Sequence, residues 1–144
     1  MTLKKRSAAL LVVPALALGA SLLAGGVAAA STPDGGGGGH GCRAPLPADG
    51  LSVVTCVDWA DSGSAVGTVT TSGSNNTTIN LCVEVVDANQ NLVPGSRNCQ
   101  PQPGPSGFVQ TPNVSLRAGT YYVVSYFTSP TYWYGGETQP FSVS

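Results

Sequence analysis

From Thr77 to Asp87 the chain sets Ile79, Leu81, Val83 and Val85 at alternate positions with Cys82 and Glu84 between them. That is the period-2 pattern of a strand with one face toward a core and the other nearer the surface. A second run, from Gly119 to Thr128, puts Tyr122, Val124 and Tyr126 on one side and Tyr121, Val123, Ser125 and Phe127 on the other. Both of its faces are largely apolar, which predicts a central strand. Leu51–Trp59 and Ala65–Thr71 are β-rich runs closed by the turn residues Asp61-Ser62-Gly63 and Ser72-Gly73-Ser74-Asn75-Asn76. Phe108–Gln110, Asn113–Leu116 and Gln139–Val143 are shorter segments of the same kind. After residue 30 no segment has a helical 3.6-residue period, and turn signals recur about every 8 to 12 residues, so the pattern predicts an all-β antiparallel sandwich.

The segments between these runs define the organisation. Residues 31–49 contain the tract Gly35–Gly39 and then Pro45 and Pro47. We read them as a flexible Gly/Pro-rich N-terminal segment, its last residues extended or an edge strand, ahead of a sandwich domain over 50–144. Asp87-Ala88-Asn89-Gln90-Asn91 is turn chemistry between Val85-Val86 and Leu92-Val93, which predicts a hairpin. It also spells the first half of a calcium loop, but Leu92 stands where an EF-hand needs Gly and Asn98 where it needs a bidentate Glu. An Asx-rich hairpin is the better reading. Pro94–Gly107, with prolines at 101, 103 and 105, reads as a loop crossing an end or edge of the sandwich.

Residues 1–30 stand apart. Lys4, Lys5 and Arg6 precede an apolar run from Ala8 to Leu23, and Ala28-Ala29-Ala30 offers a small-residue cleavage site, the anatomy of a secretory signal. Pro14, Gly19, Gly25 and Gly26 interrupt the run and no charge cluster follows it, so cleavage is favoured over a membrane anchor. The expected product is secreted, extracellular and without membrane attachment. Cleavage removes every lysine and leaves three arginines against seven acids, a formal charge of −4. A nucleic-acid partner needs a basic stripe, so none is expected.

Four cysteines, Cys42, Cys56, Cys82 and Cys99, lie in the exported part. In an oxidising compartment they read as two disulfides, for which we take Cys42 with Cys56 and Cys82 with Cys99 among the three possible connectivities. Zinc is disfavoured, since no Cys-x-x-Cys occurs and the sole histidine, His40, lies in the glycine tract without an evident second ligand or orienting partner. No metal and no cofactor are expected.

Leu116-Arg117-Ala118-Gly119-Thr120-Tyr121-Tyr122-Val123-Val124 resembles the Leu-x-Pro-Gly-Thr-x-Tyr-x-Val signature of fibronectin type III domains, with Ala118 in place of Pro. Gly136-Glu137-Thr138-Gln139-Pro140-Phe141-Ser142-Val143 is similar to the same family's final strand. The resemblance covers about the last 30 residues; the four cysteines and the spacing around Trp59 depart from it. It implies an immunoglobulin-like, fibronectin III-like sandwich of about seven strands, with Tyr122 as the tyrosine-corner residue. It implies no function.

Catalysis finds little support in the residues. A serine triad needs a histidine that the fold holds, and the paired carboxylates Asp58 with Asp61 or Glu84 with Glu137 read better as turn and strand-surface residues. Gly35–Gly39 neither follows a strand nor opens a helix, so it is no phosphate loop. We expect no enzyme. Tyr132-Trp133-Tyr134 is the feature that points outward, because three consecutive aromatics cannot all enter one core. These three are the candidate ligand-binding residues, for a polysaccharide or an extracellular protein. The alternative is a small secreted inhibitor of an extracellular amylase or protease that presents 94–107 or 132–136. It is weakened by the absence of arginine from the aromatic tripeptide.

Overall fold

A computed structural model describes residues 38–103 and 105–144. The expected leader over 1–30 and residues 31–37 lie outside the described residues. Among the described residues eleven strands form two antiparallel sheets. In chain order they are β1 Gly39–Cys42, β2 Leu46–Ala48, β3 Leu51–Ala60, β4 Ser64–Gly73, β5 Ile79–Asp87, β6 Asn98–Gln102, β7 Gly107–Gln110, β8 Val114–Ser115, β9 Gly119–Phe127, β10 Trp133–Glu137 and β11 Phe141–Val143. The first sheet runs β1-β3-β4-β7, with β2 also on β3 and β8 also on β4; the second runs β10-β9-β5-β6, with β11 also on β9.

Eleven strands replace the expected seven or so because three outer ribbons are broken in two. β1 and β2 part at 43–45, β7 and β8 at 111–113, and β10 and β11 at 138–140, and the breaks contain Pro45, Pro112 and Pro140. A proline has no N–H for the ladder and weakens pairing at each break, while Pro47 and Pro101 are accommodated on the edge strands β2 and β6.

The N-terminal segment needs correcting. Residues 39–42 are not a tether, since Gly39↔Trp59 through Cys42↔Cys56 pair β1 with β3, while β2, paired from Leu46↔Val53 to Ala48↔Leu51, is the edge strand expected of the segment's last residues. The glycines make this possible. A Cβ on Gly39 would sit 2.4 Å from Cζ2 of Trp59, so only glycine lets the strand lie over that indole. The boundary expected between 49 and 50 falls inside the β2–β3 hairpin, whose two turn residues Asp49 and Gly50 have φ of 48° and 75°.

The core is built as the alternation predicts, with Ile79, Leu81, Val83 and Val85 buried against Val53, Val57, Val69, Val123 and Phe127. The other face of β5 departs from expectation: Cys82 is fully buried and Glu84 nearly so. At the centre Thr55 of one sheet and Ser125 of the other, both fully buried, share a hydrogen bond of 2.6 Å. The backbone bond expected of the Tyr122 hydroxyl is made by its neighbour. Tyr121, not Tyr122, donates its hydroxyl to the carbonyl of Arg117 at 3.0 Å and packs its ring on Phe141 at 6.0 Å.

Both expected disulfides are formed, each between directly opposed residues of a ladder, with Cα separations of 4.0 Å for Cys42–Cys56 and 4.1 Å for Cys82–Cys99. Two disulfides are compatible with an extracellular location. Among the described residues no helix is long and apolar enough to cross a membrane.

Candidate functional site

The aromatic tripeptide opens β10, where strand alternation separates its members. Trp133 lies opposite Phe127 and Tyr134 opposite Tyr126. Phe127 belongs to the core, so Trp133 faces the inner side and stacks on it at 6.4 Å, while Tyr134 takes the outer face. Tyr132 joins Tyr134 there, its ring 5.9 Å from that of Tyr126. All three keep substantial exposure, 62% for Tyr132, 40% for Trp133 and 43% for Tyr134. The tripeptide therefore presents two surfaces rather than one platform.

A bulge fixes this arrangement. The register passes from Tyr134↔Tyr126 to Gly136↔Ser125, leaving Gly135 as the extra residue, and Gly136 has a φ of 104°. A Cβ on Gly135 would meet Oγ of Ser125 at 2.5 Å, and one on Gly136 would strike the Arg43 side chain. Gly135-Gly136 is thus the sequence device that turns the aromatic ribbon at the sheet edge.

On the outer face the tyrosines adjoin a charged pair. Glu84 Oε2 accepts from Nε of Arg97 at 2.6 Å and from the Tyr126 hydroxyl at 2.9 Å. Burial, reinforced by the bond to Glu84 and its charge, pushes the Tyr126 phenol up to about 12. Tyr134 is also raised, first by burial and then by the charge of Glu137. Tyr132, Tyr134, Tyr126, Glu84 and Arg97 together make an amphipathic patch. Glu84 and Arg97 were not singled out with the aromatics in the sequence, because they come together only through the β5–β9 and β5–β6 pairings.

On the inner side Trp133 lines an open cavity of about 740 Å³ with Asp49, Gly50, Ser52, Ser72 and Ser74. Asp49 is held in place there by Asn75, whose Nδ2 donates to its carbonyl at 2.9 Å and to its Oδ2 at 3.1 Å.

The remaining candidates fall elsewhere. Asp87 spends its carboxylate on the turn, accepting first from the Asn91 side chain and then from the backbone of Asn91 and Asn89, and these bonds hold it below the usual carboxylate range. That is an Asx turn in place of a calcium loop. His40 does have an orienting partner: its Nδ1 lies 2.6 Å from Oδ1 of Asp58, and its Nε2 lies 3.2 Å from Sγ of Cys42. The spacings His40-x-Cys42 and Cys56-x-Asp58 carried that signal, since period 2 puts each pair on one face of a strand. Reading 31–49 as flexible concealed it. The ring nitrogen and the sulfurs of Cys42 and Cys56 lie within 4.8 Å of one another, but a metal needs thiolates and both sulfurs are in the disulfide.

Comparison of the chain with protein-family models, with curated proteins and with solved structures found no match.

Proposed function

We propose that the chain is a secreted, non-catalytic binding domain of immunoglobulin-like, fibronectin III-like build that holds a polysaccharide through its aromatic ribbon. The strand order supports the fold part of this reading. β3, β4 and the β7/β8 ribbon take the places of strands A, B and E, while β10/β11, β9, β5 and β6 follow the order G, F, C, C′, with β1/β2 as an added edge. The observation that carries the binding part is that Tyr132, Trp133 and Tyr134 are all substantially exposed within one short ribbon.

Exposed aromatic rings cost solvation unless a ligand covers them, and their faces match the C–H face of a sugar ring. The phenol hydroxyls, the Arg97 guanidinium and, across the ribbon, Asp49 and the serines beside Trp133 supply donors and acceptors for sugar hydroxyls. A polysaccharide offers repeating units to both surfaces of the ribbon.

The test is retention of the purified domain on insoluble cellulose, chitin and cell wall, run beside inhibition assays against a panel of amylases and proteases. Retention without inhibition, reduced at least tenfold by Tyr132→Ala with Tyr134→Ala, is the expected result. Inhibition without retention would replace this reading with the inhibitor reading, and a domain that neither binds nor inhibits would overturn the polysaccharide assignment.

A further inference from the structure

The β1 edge of the six-stranded sheet carries four side chains in a two-by-two block. In the β1–β3 ladder His40 stands opposite Asp58 and Cys42 opposite Cys56. Val57 is buried in the core, so Cys56 and Asp58 share the outer face. The block is open to solvent: the His40 and Asp58 side chains are 60% and 61% exposed, and both cysteines are only half-buried. Within it the Asp58 carboxylate accepts from His40 Nδ1, which leaves Nε2 as the nitrogen facing sulfur, 3.2 Å from Cys42 Sγ.

We propose that, apart from the binding ribbon, this block is a stoichiometric thiol–disulfide exchange site, with Cys42–Cys56 as the bond exchanged, His40 as the proton donor to the leaving sulfur and Asp58 as its positioning residue. Exchange is limited by access to the attacked sulfur and by the stability of the thiolate expelled. Here one sulfur has a proton donor and the other does not. An external thiolate RS⁻ attacks Cys56 Sγ; the RS–S bond forms, the Cys42–Cys56 bond breaks, and its electron pair leaves on Cys42 Sγ, which takes the Nε2 proton of the imidazolium. A second external thiolate R′S⁻ then attacks the R sulfur of the mixed disulfide. RS–SR′ forms and Cys56 departs as a thiolate that takes a proton from water. Two external thiols are oxidised by two electrons, and the protein disulfide is reduced to a dithiol; exchange with an external disulfide runs the sequence backward.

The second disulfide has an exposed sulfur in Cys99 but nowhere favourable to expel the other. Cys82 is fully buried, so it is closed to attack, and attack on the exposed Cys99 would expel a thiolate into that buried position, where charge is disfavoured. The two bonds should therefore differ in rate although both span neighbouring strands.

The experiment is a timed pulse of the oxidised protein with 2-mercaptoethanol, and separately with a cysteine-containing peptide, followed by alkylation and peptide mapping. Cys42 and Cys56 are expected to label at least tenfold faster than Cys82 and Cys99, with the trapped mixed disulfide on Cys56. Reaction with the small thiol alone would narrow the substrate to small molecules within the proposal. His40→Ala, or His40→Gln where the strand needs a polar residue, should slow reduction at least tenfold while the melting temperature of the oxidised form stays within a few degrees. Asp58→Asn should slow it as well and should shift the His40 ring-nitrogen resonances, since the carboxylate facing Nδ1 is removed. Equal rates for the two disulfides, an adduct on Cys42, or a wild-type rate in both His40 variants would overturn the proposal.

Discussion

At the scale of single residues, the Thr55–Ser125 bond shows how a polar pair is kept in an apolar centre. The two hydroxyls satisfy one another between the sheets at 2.6 Å, so removing one strands the other. Thr55→Val alone and Ser125→Ala alone should each cost about 1–3 kcal/mol, whereas the double substitution should cost less than the sum of the two. Denaturant titration of the four proteins checks this, and strict additivity would show that the bond contributes no coupling. Tyr126 offers a second residue-scale test. Burial pushes its phenol from 10.0 up to about 12 in the fold, so between those values the unfolded chain loses a proton that the folded chain keeps. Stability from this group is complete below pH 10 and declines toward pH 12. Absorbance at the phenolate band should show a late-titrating tyrosine that Tyr126→Phe removes, and the variant's stability should fall less steeply over that interval.

At the scale of elements, legibility followed how clearly the two faces of a strand differ in the sequence. β5 announced itself through Ile79, Leu81, Val83 and Val85, and its hairpin through Asp87–Asn91, because alternation and turn chemistry are local signals. β9 was equally visible as a strand, yet with both faces apolar its alternation gave no way to choose the inner one. The motif pointed to Tyr122, and the fold uses Tyr121. β1 was lost for another reason: glycine suppresses strand propensity on its own, while here glycine is what admits the chain over Trp59, whereas β2 was legible because its prolines mark an edge. Asp49-Gly50 was a readable hairpin signal, an Asp-Gly pair between short apolar segments. It follows that Gly50→Ala should destabilise the β2–β3 turn. With φ at 75° an L side chain is strained there though the space is open, since a Cβ would find only Asn75 at 3.8 Å. The loss should be about 1 kcal/mol, read from the urea midpoint with the slope unchanged.

At the scale of the whole molecule, stability and exposure divide along β10. Each disulfide closes a short loop, with sequence separations of 14 and 17, and on the chain-entropy estimate each is worth about 3 kcal/mol, a large share of what a domain of this size possesses. The bridges and the valine-rich core leave the aromatic ribbon freer to serve contact, but not wholly free. Trp133 rests on Phe127, whereas Tyr132 and Tyr134 occupy the outer face. Truncating a fully buried tryptophan costs about 3–5 kcal/mol; with 40% of Trp133 exposed, Trp133→Ala should cost about 2 kcal/mol and lower the melting temperature by about 10 °C. Tyr132→Ala, with 62% of its residue exposed, should change stability by no more than about 0.5 kcal/mol. Calorimetry on the two variants, set beside polysaccharide retention at a temperature where both are folded, separates the roles. A cost above 4 kcal/mol for Trp133 with retention intact would make that ring part of the core closure and leave binding to the tyrosine face. A cost near 2 kcal/mol with retention lost would place the ligand on both sides of the ribbon.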